Sequence, residues 1–299
     1  MSKRKRITIL ALFLPERGRH PRLRQRKLIE SLACAARWFN ADLHVLFSHA
    51  IHESAQAELS RLREHPLRAG ISIIEHLSGE DLVQPFIDLA QEVSADYLCF
   101  EDGGLDDCRT PEDRVKQQIL LRSSIPVLVL PHRLRWRFRP FGRILVPLSG
   151  ERRQSAALKE ALQIAHSIDR SVTLLHVQQG DAPPCEASGM ETLGDQAHHE
   201  YNRQLDQVIS EATPDSSLFE RKRITRLAHL TGPADEAITK FTKRMPNSLL
   251  VMEWKASFSP GRAVVFRKVL KAAGTPLLVV KVEDETPSTL KIDDEFEAV

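Results

Sequence analysis

The densest cluster of chemically active side chains lies near the N-terminus and is cationic. It follows an apolar stretch, Ile7 to Leu14, and comprises Arg17, Arg19, His20, Arg22, Arg24, Arg26 and Lys27. If the apolar stretch is a strand, the cluster is a loop at the carboxyl edge of a sheet, where guanidinium groups would bind an anionic ligand. The candidate anion-binding residues are Arg17, Arg19, Arg22 and Arg24. A solvated basic loop and helix start, with non-specific affinity for polyanions, is the simpler interpretation.

A second basic segment, residues 133–139, alternates arginines with apolar side chains in the order Arg-Leu-Arg-Trp-Arg-Phe-Arg. In an extended segment, this alternation places Leu134, Trp136 and Phe138 on one side. Arginines and aromatic rings together can grip the phosphates and bases of nucleic acid. We prefer the interpretation of a linker whose apolar side packs on neighbouring domains.

The sequence lacks the spacings of the common catalytic and metal-binding motifs. It contains no His-Glu-x-x-His, no Gly-x-Ser-x-Gly elbow and no catalytic triad signature. The four cysteines follow no Cys-x-x-Cys spacing, which favours reduced thiols; they are Cys34, Cys99, Cys108 and Cys185. The histidines near Cys185 match no zinc template; they are His176, His198 and His199. We therefore predict no catalytic residue and no metal site.

Length and composition indicate a soluble protein of two domains. The chain has 299 residues, 42% hydrophobic and 27% charged, with a net charge of +2. Its apolar runs are too short to span a bilayer, and the N-terminus lacks a signal-peptide cleavage site, so we expect a cytoplasmic protein without membrane contact. Residues 283–299 contain seven acids and form an acidic tail.

Apolar patterns repeat in the same order in the two halves of the chain. Strands are predicted at residues 7–12, 43–47, 71–76, 97–100 and 125–130, and again at 144–148, 172–177, 223–229, 249–252 and 275–280. Helical patterns separate them. Short apolar strands that alternate with helices are typical of a doubly wound parallel sheet. The fold class is therefore α/β, with two tandem five-stranded Rossmann-like sheets.

This repeat divides the chain into domains. They are a first domain at 1–132, a basic linker at 133–142, a second domain at 143–282 and the acidic tail at 283–299. The last strand of each half is apolar and lies at a sheet edge, and unpaired apolar edges promote aggregation. We therefore predict that Val127–Leu130 and Leu277–Val280 lie side by side and antiparallel, so that the halves form an internal pseudo-dimer.

One stretch carries a resemblance to a known family. Residues 143–177 contain a strand broken by Pro147, a small loop at Ser149 and Gly150, a helix of alanines and aliphatic residues, and a strand ending in Leu-His-Val. This order resembles the universal stress protein family, and the acidic tail is similar to that of its tandem E type. The resemblance implies a non-enzymatic stress-response protein that dimerises through the last strand. A further homodimer and an unidentified protein partner are compatible with it.

The resemblance also implies where a nucleotide would bind. ATP-binding members of the family carry an Asp in the first loop and a glycine-rich loop after the fourth strand. Here Ser149 replaces the Asp, Glu253 replaces the first glycine, and Ala263 replaces the last. We therefore predict no tightly bound cofactor and a degenerate pocket whose rim comprises Ser149, Gly150, Gly232 and Gly261.

The first half departs from the nucleotide-binding pattern as well. Its Gly103 and Gly104 stand among acids that would repel a triphosphate, namely Glu101, Asp102, Asp106 and Asp107. Two alternatives stay open beside the non-enzymatic interpretation. One is an adenine-nucleotide-binding sensor (of ATP or AMP) or a weak ATPase, and the other is an RNA- or DNA-associated protein that uses the basic segments.

Overall fold

The structure is a computed structural model of the 299-residue chain. The residues it describes are 6–14, 21–48, 56, 60, 72–79, 81–102, 110–131, 141–148, 156–178, 203, 224–245, 247–256, 264–272 and 274–282. Several predicted features lie outside them. These are residues 133–140 of the basic linker, the acidic tail, Gly103 and Gly104, and the segment that contains Cys185, His198 and His199.

The elements follow the predicted alternation in both halves. The first half contains β1 (Ile7–Phe13), α1 (Pro21–Phe39), β2 (Ala41–Ser48), β3 (Ile73–Ser78), α2 (Val83–Glu92), β4 (Tyr97–Asp102), α3 (Pro111–Arg122) and β5 (Val127–Pro131). The second half contains β6 (Arg143–Leu148), α4 (Ala156–Ile168), β7 (Ser171–Gln178), β8 (Ile224–Thr231), α5 (Ala234–Arg244), β9 (Ser248–Trp254), α6 (Val264–Ala272) and β10 (Leu277–Lys281).

All ten strands belong to one continuous sheet. Their order is β3-β2-β1-β4-β5-β10-β9-β6-β7-β8, and the strands are parallel within each half. The two halves meet where β5 and β10 pair antiparallel, with Leu128 opposite Leu278. The predicted pairing is confirmed, and it joins the two five-stranded sheets edge to edge.

The strands are buried because helices cover both faces of the sheet. One apolar layer lies under α1 and α4 and includes Ile9, Leu128 and Val251. The other lies under α2, α3, α5 and α6 and includes Leu10 and Leu250. Complete burial of one such side chain stabilises the fold by about 1.5–3 kcal/mol. The continuous apolar runs in the sequence reflect this double coverage.

Helix α1 begins earlier than the sequence suggested. The interpretation of residues 15–27 as a loop was wrong from Pro21 onwards, because α1 starts at that residue. Proline suits the first position of a helix, and arginine, glutamine and lysine are good helix formers. Arg22 and Arg24 therefore lie in the first turns of α1 rather than in a loop.

Gly79 and Gly232 each stand a few residues before the start of a helix. Helix α2 begins at Val83, four residues after Gly79, and the Asp81 carboxylate accepts a hydrogen bond from the Val83 N–H at 3.1 Å. Helix α5 begins at Ala234, two residues after Gly232. Gly232 has a φ of 103°, a left-handed conformation that favours glycine.

The strand register assigns equivalent positions in the two halves, which we call counterparts. Ile9 pairs with Tyr97 in the first half, and Ile144 pairs with Leu249 in the second, so Tyr97 and Leu249 are counterparts. Helices α1 and α4 both end before a residue with positive φ, at Asn40 (50°) and Asp169 (56°). Asn and Asp are the side chains that best tolerate this conformation after glycine.

Side chains tie the two halves together on the α1 side of the sheet. The Tyr97 hydroxyl donates a 2.5 Å hydrogen bond to the Glu160 carboxylate of α4. The Phe141 ring packs on Trp38 with ring centroids 4.3 Å apart and is fully buried. Elsewhere, the Lys281 ammonium donates to the Leu121 carbonyl at 2.7 Å. These contacts make the junction larger than the β5–β10 ladder alone.

Candidate functional site

The topology places a crevice at the carboxyl edge of each half. Strand β1 has β2 on one side and β4 on the other, and β6 likewise lies between β7 and β9. The helices that follow β1 and β4 lie on opposite faces of the sheet, as do those that follow β6 and β9. Ligands of open α/β sheets bind at such points, where the chain order reverses.

In the second half, this position is occupied by a side chain of the protein itself. Glu253 lies near the end of β9, and its carboxylate oxygen Oε1 accepts a hydrogen bond from the Ala157 N–H at 3.0 Å. Ala157 lies in the first turn of α4. Free N–H groups at a helix N-terminus attract anions such as phosphate. The Glu253 carboxylate thus satisfies an N–H group that a phosphate would otherwise use.

The opposite face of the same strand end is filled by aromatic rings. Trp254 is 3% exposed and packs nearly parallel to Phe266 of α6, with ring centroids 5.6 Å apart and a 21° angle between the planes. Ala256 then turns the chain with a φ of 52°. The end of β9 is therefore part of the apolar core on this face.

The first half has the same acid at the end of its fourth strand but a different residue type in the helix that follows. Glu101 is paired with Leu130 and Glu253 with Val280, which makes the two acids counterparts, and Glu101 is buried. Lys116 of α3 is the counterpart of Phe266, because each lies eleven residues before the first residue of its following strand. A buried lysine residue thus stands where the second half has an aromatic residue.

The N-terminus of α3 is also satisfied by its own side chains. Thr110 Oγ1 accepts from the Asp113 N–H at 3.2 Å, and Asp113 Oδ2 accepts from the Thr110 N–H at 3.1 Å. This reciprocal capping uses the N–H groups that an anionic ligand would need. The starts of α3 and α4 thus each carry an acceptor supplied by the protein itself.

The predicted site residues are not brought together in the described part of the chain. Gly232 follows β8, the outermost strand of the second half, and β6 and β7 separate that strand from β9. Arg22 and Arg24 belong to α1. The remaining candidates lie outside the described residues; they are Ser149, Gly150, Gly261, Arg17 and Arg19.

Two cysteines are free thiols packed in the apolar layer under α1 and α4. Burial raises the pKa of Cys34 to about 11, and it raises the pKa of Cys99 as well. A thiol with a raised pKa contains little of the reactive thiolate at neutral pH. Among the residues that the structure describes, no three His, Cys, Asp or Glu side chains form a metal-binding group.

Sequence reasoning missed two polar contacts and the role of Glu253. Glu253 was noticed as a missing glycine, but its contact with α4 was not foreseen; an acid at the same place in both halves, Glu101 and Glu253, was the available signal. The Tyr97–Glu160 and His44–His76 hydrogen bonds join residues 63 and 32 positions apart. No local pattern marks contacts of that kind.

The fold and the two carboxyl edges define a tandem α/β protein with paired Rossmann-like halves. Residues 140–281 match the model of the universal stress protein family. This match covers the second half of the chain. None of the curated proteins matches the sequence. In the part of the chain that the structure describes, no helix is long and apolar enough to cross a membrane.

Solved structures share the architecture over nearly the whole chain. A protein of unknown function from Pseudomonas aeruginosa PAO1 is similar with a TM-score of 0.58 and 19% identity, covering 93% of each chain. A universal stress protein from Archaeoglobus fulgidus DSM 4304 has a TM-score of 0.55 and 14% identity, covering 93% of this chain and 97% of its own.

The same architecture occurs in a transport protein. The cytoplasmic domain of a prokaryotic cation chloride cotransporter has a TM-score of 0.53 and 13% identity, covering 92% of this chain and 95% of its own. At identities this low, the similarities describe the fold alone. Function must be argued from the site.

Proposed function

We propose that this universal stress protein is a non-enzymatic stress-response protein of the cytoplasm that acts through binding. In this proposal, its second half does not bind ATP or AMP, and an unidentified protein partner binds the paired domains. The internal pseudo-dimer supplies the dimer contact of the fold within one chain, and a further homodimer is compatible with it. The proposal rests on the position of the Glu253 carboxylate at the carboxyl edge of the second half.

The single observation that carries this proposal is the 3.0 Å contact between Glu253 Oε1 and the Ala157 N–H. A phosphate entering here would have to displace a tethered carboxylate and would also meet its negative charge. The stacked Trp254 and Phe266 fill the other face of the strand end. Both replacements occur where ATP-binding members of the family have the beginning of their glycine-rich loop. They favour a structural role for this edge.

The alternative is an adenine-nucleotide sensor, and one observation favours it for the first half. Lys116 of α3 is a buried lysine whose counterpart in the second half, Phe266, packs on Trp254 at the end of β9. A lysine can neutralise phosphate charge. The buried Glu101 at the end of β4 opposes this role. Any nucleotide affinity of this chain should therefore reside in the first half.

Native mass spectrometry and calorimetry test the proposal directly. We expect the undenatured protein to carry no adenine nucleotide after purification, and titration with ATP or AMP to release no heat of tight binding. A co-purified nucleotide or a sub-micromolar dissociation constant would contradict the proposal. In that case Lys116→Met, which keeps the apolar stem and removes the charge, identifies the half that binds.

A pair of variants tests whether the Glu253 carboxylate is what closes the second half. Glu253→Gly restores the glycine of the ATP-binding pattern, whereas Glu253→Gln keeps a hydrogen-bond acceptor without the charge. We expect inorganic phosphate and ATP to raise the melting temperature of Glu253→Gly but not that of Glu253→Gln. Equal responses of both variants would show that another feature closes this edge.

A further inference from the structure

A pair of histidines bridges the two outermost strands of the first half. His44 lies on β2, and its neighbours Leu43 and Val45 face the layer under α1, so His44 faces the α2 side of the sheet. His76 lies on β3 opposite Leu46, which belongs to the layer on the α2 side. Both rings therefore lie on the same face, and both residues are half-buried.

The two rings meet edge to edge through one hydrogen bond. His44 Nδ1 and His76 Nε2 are 3.0 Å apart, the ring planes differ by 15°, and the centroids are 5.3 Å apart. Rings stacked face to face at that centroid separation would not bring two nitrogen atoms so close. The geometry instead is that of nearly coplanar imidazoles sharing an N–H···N bond.

Such a bond exists only while at least one ring is neutral. A neutral imidazole has one donor and one acceptor nitrogen, whereas a protonated ring has two donors and no acceptor. If both rings carry a proton, the hydrogen bond is lost and two positive charges lie in contact. The pair is thus compatible with the neutral and singly protonated states and incompatible with the doubly protonated state.

The charged groups around the pair are few on the described elements. Besides burial, His76 lowers the pKa of His44. Asp42 on β2 raises the pKa of His44, and Glu92 on α2 raises that of His76, but both effects are smaller than that of burial. The Asp42 carboxylate also forms an ion pair with Arg6 at 2.8 Å. The Asp88 carboxylate of α2 accepts a hydrogen bond from the Gln84 side-chain amide. The β1 residues on this face, Leu10 and Leu12, are apolar. Burial is the largest effect on both rings, and it lowers the pKa of each.

We propose that the His44–His76 pair is an acid-sensitive latch that holds the edge strand β3 on the sheet and releases it when both rings are protonated. Only β2 pairs with β3 in the described sheet, so the loss of this contact is not compensated by a strand on the other side. Strand β3 also exposes Ile74 and Leu77, at 42% and 47%, and gains little from apolar burial. Its attachment therefore depends more on polar contacts than that of any central strand.

The direction of the pH effect follows from the lowered pKa of both histidines. A base whose pKa is lowered by folding favours the neutral state in the native protein. Its contribution to stability is present above its ordinary pKa of 6.5 and is lost as the pH falls through the lowered value. We therefore expect β3 to be released under mildly acidic conditions.

Hydrogen exchange of the full-length protein tests the latch. Peptides covering residues 72–79 are compared at pH 7.5 and pH 5.0 after correction for the intrinsic pH dependence of exchange. We expect the protection of β3 in the wild-type protein to fall at least about tenfold, while central strands such as β4 keep theirs. Unchanged protection of β3 would overturn the proposal.

Two variants separate the latch from general acid effects. In His44→Gln/His76→Gln, the amides can share a hydrogen bond but cannot titrate, so the pH dependence of β3 protection should disappear. The control is His166→Gln, which removes an exposed histidine of α4 and should leave that dependence unchanged. A double variant that loses β3 protection in acid as the wild type does would overturn the proposal.

A measurement on the wild-type protein keeps the test independent of how the variants fold. Nitrogen chemical shifts of the imidazole rings, followed by NMR from pH 8 to pH 4.5, report each protonation step. We expect a coupled titration in which the second proton binds well below the first. Two independent titrations near the ordinary histidine value would overturn the proposal.

Discussion

The carboxyl edges of the two halves share the same strand topology but carry different residue types. Both carry an acid at the same register position, Glu101 and Glu253. On the other face, the first half has a buried lysine, Lys116, where the second half has Phe266 stacked on Trp254. One edge has therefore become part of the apolar core, whereas the other keeps charge inside it. A repeated fold thus does not imply a repeated site.

The largest effect that would sharpen this comparison is the loss of the aromatic pair. Phe266→Ala should lower the free energy of unfolding by about 3–5 kcal/mol, because it removes a buried ring and leaves a cavity. Urea denaturation followed by circular dichroism measures the change. Val264→Ala on the same helix is the matched control, since Val264 is 44% exposed and should cost far less. A loss below about 1 kcal/mol for Phe266→Ala would mean that this edge is not packed as core.

Loss of the Tyr97–Glu160 hydrogen bond between the halves should lower the free energy of unfolding by less, and by an amount that depends on pH. Burial raises the pKa of Glu160, while the Tyr97 hydroxyl opposes part of that rise by stabilising the carboxylate. The pKa of Glu160 is raised in the folded protein. Its contribution to the free energy of unfolding is therefore fully present below pH 4.5, its ordinary pKa, and is lost as the pH rises through the folded-state pKa. Tyr97→Phe should therefore cost more at pH 8 than at pH 4.

Denaturation of Tyr97→Phe at the two pH values checks this expectation. The loss at pH 8 should be about 1–3 kcal/mol, the cost of leaving a buried acceptor without its donor. In Glu160→Gln the pH dependence should be weaker than in the wild type. Leu249 is the counterpart of Tyr97, and Ser31 is that of Glu160, because each lies eight residues before the last residue of its helix. These two residues cannot form the same hydroxyl–carboxylate pair, so only one side of the junction should respond. Equal losses at both pH values would contradict the assignment.

The smallest effect concerns the surface of the second half. Lys268 of α6 and Asp235 of α5 form an ion pair at 2.9 Å, and the lysine side chain is 58% exposed. Lys268→Ala should change the free energy of unfolding by less than about 1 kcal/mol, because water and salt screen exposed pairs. Thermal denaturation at low and high salt should show the difference vanishing as salt rises. A larger loss would mean that α5 and α6 depend on charge as much as on the aromatic pair.

The sequence was most informative where burial is continuous. Apolar runs such as Val127–Leu130 predict strands covered on both faces, and two unpaired apolar edges in one chain predict their antiparallel pairing. Charge was misleading at α1, where a basic run was interpreted as a loop although arginine and lysine are good helix formers. The polar contacts of Tyr97 and His44 depend on strand register and on the junction of the halves. Local patterns carry no information about either.

The antiparallel junction has a consequence for how partners can reach this molecule. Since β5 and β10 run in opposite directions, the carboxyl edges of the two halves point to opposite ends of the ten-stranded sheet. A strand of six residues, such as β4, spans about 20 Å, so no small molecule can touch both edges at once. The two carboxyl edges therefore face opposite ends of the molecule, and a body in contact with one edge leaves the other sterically free.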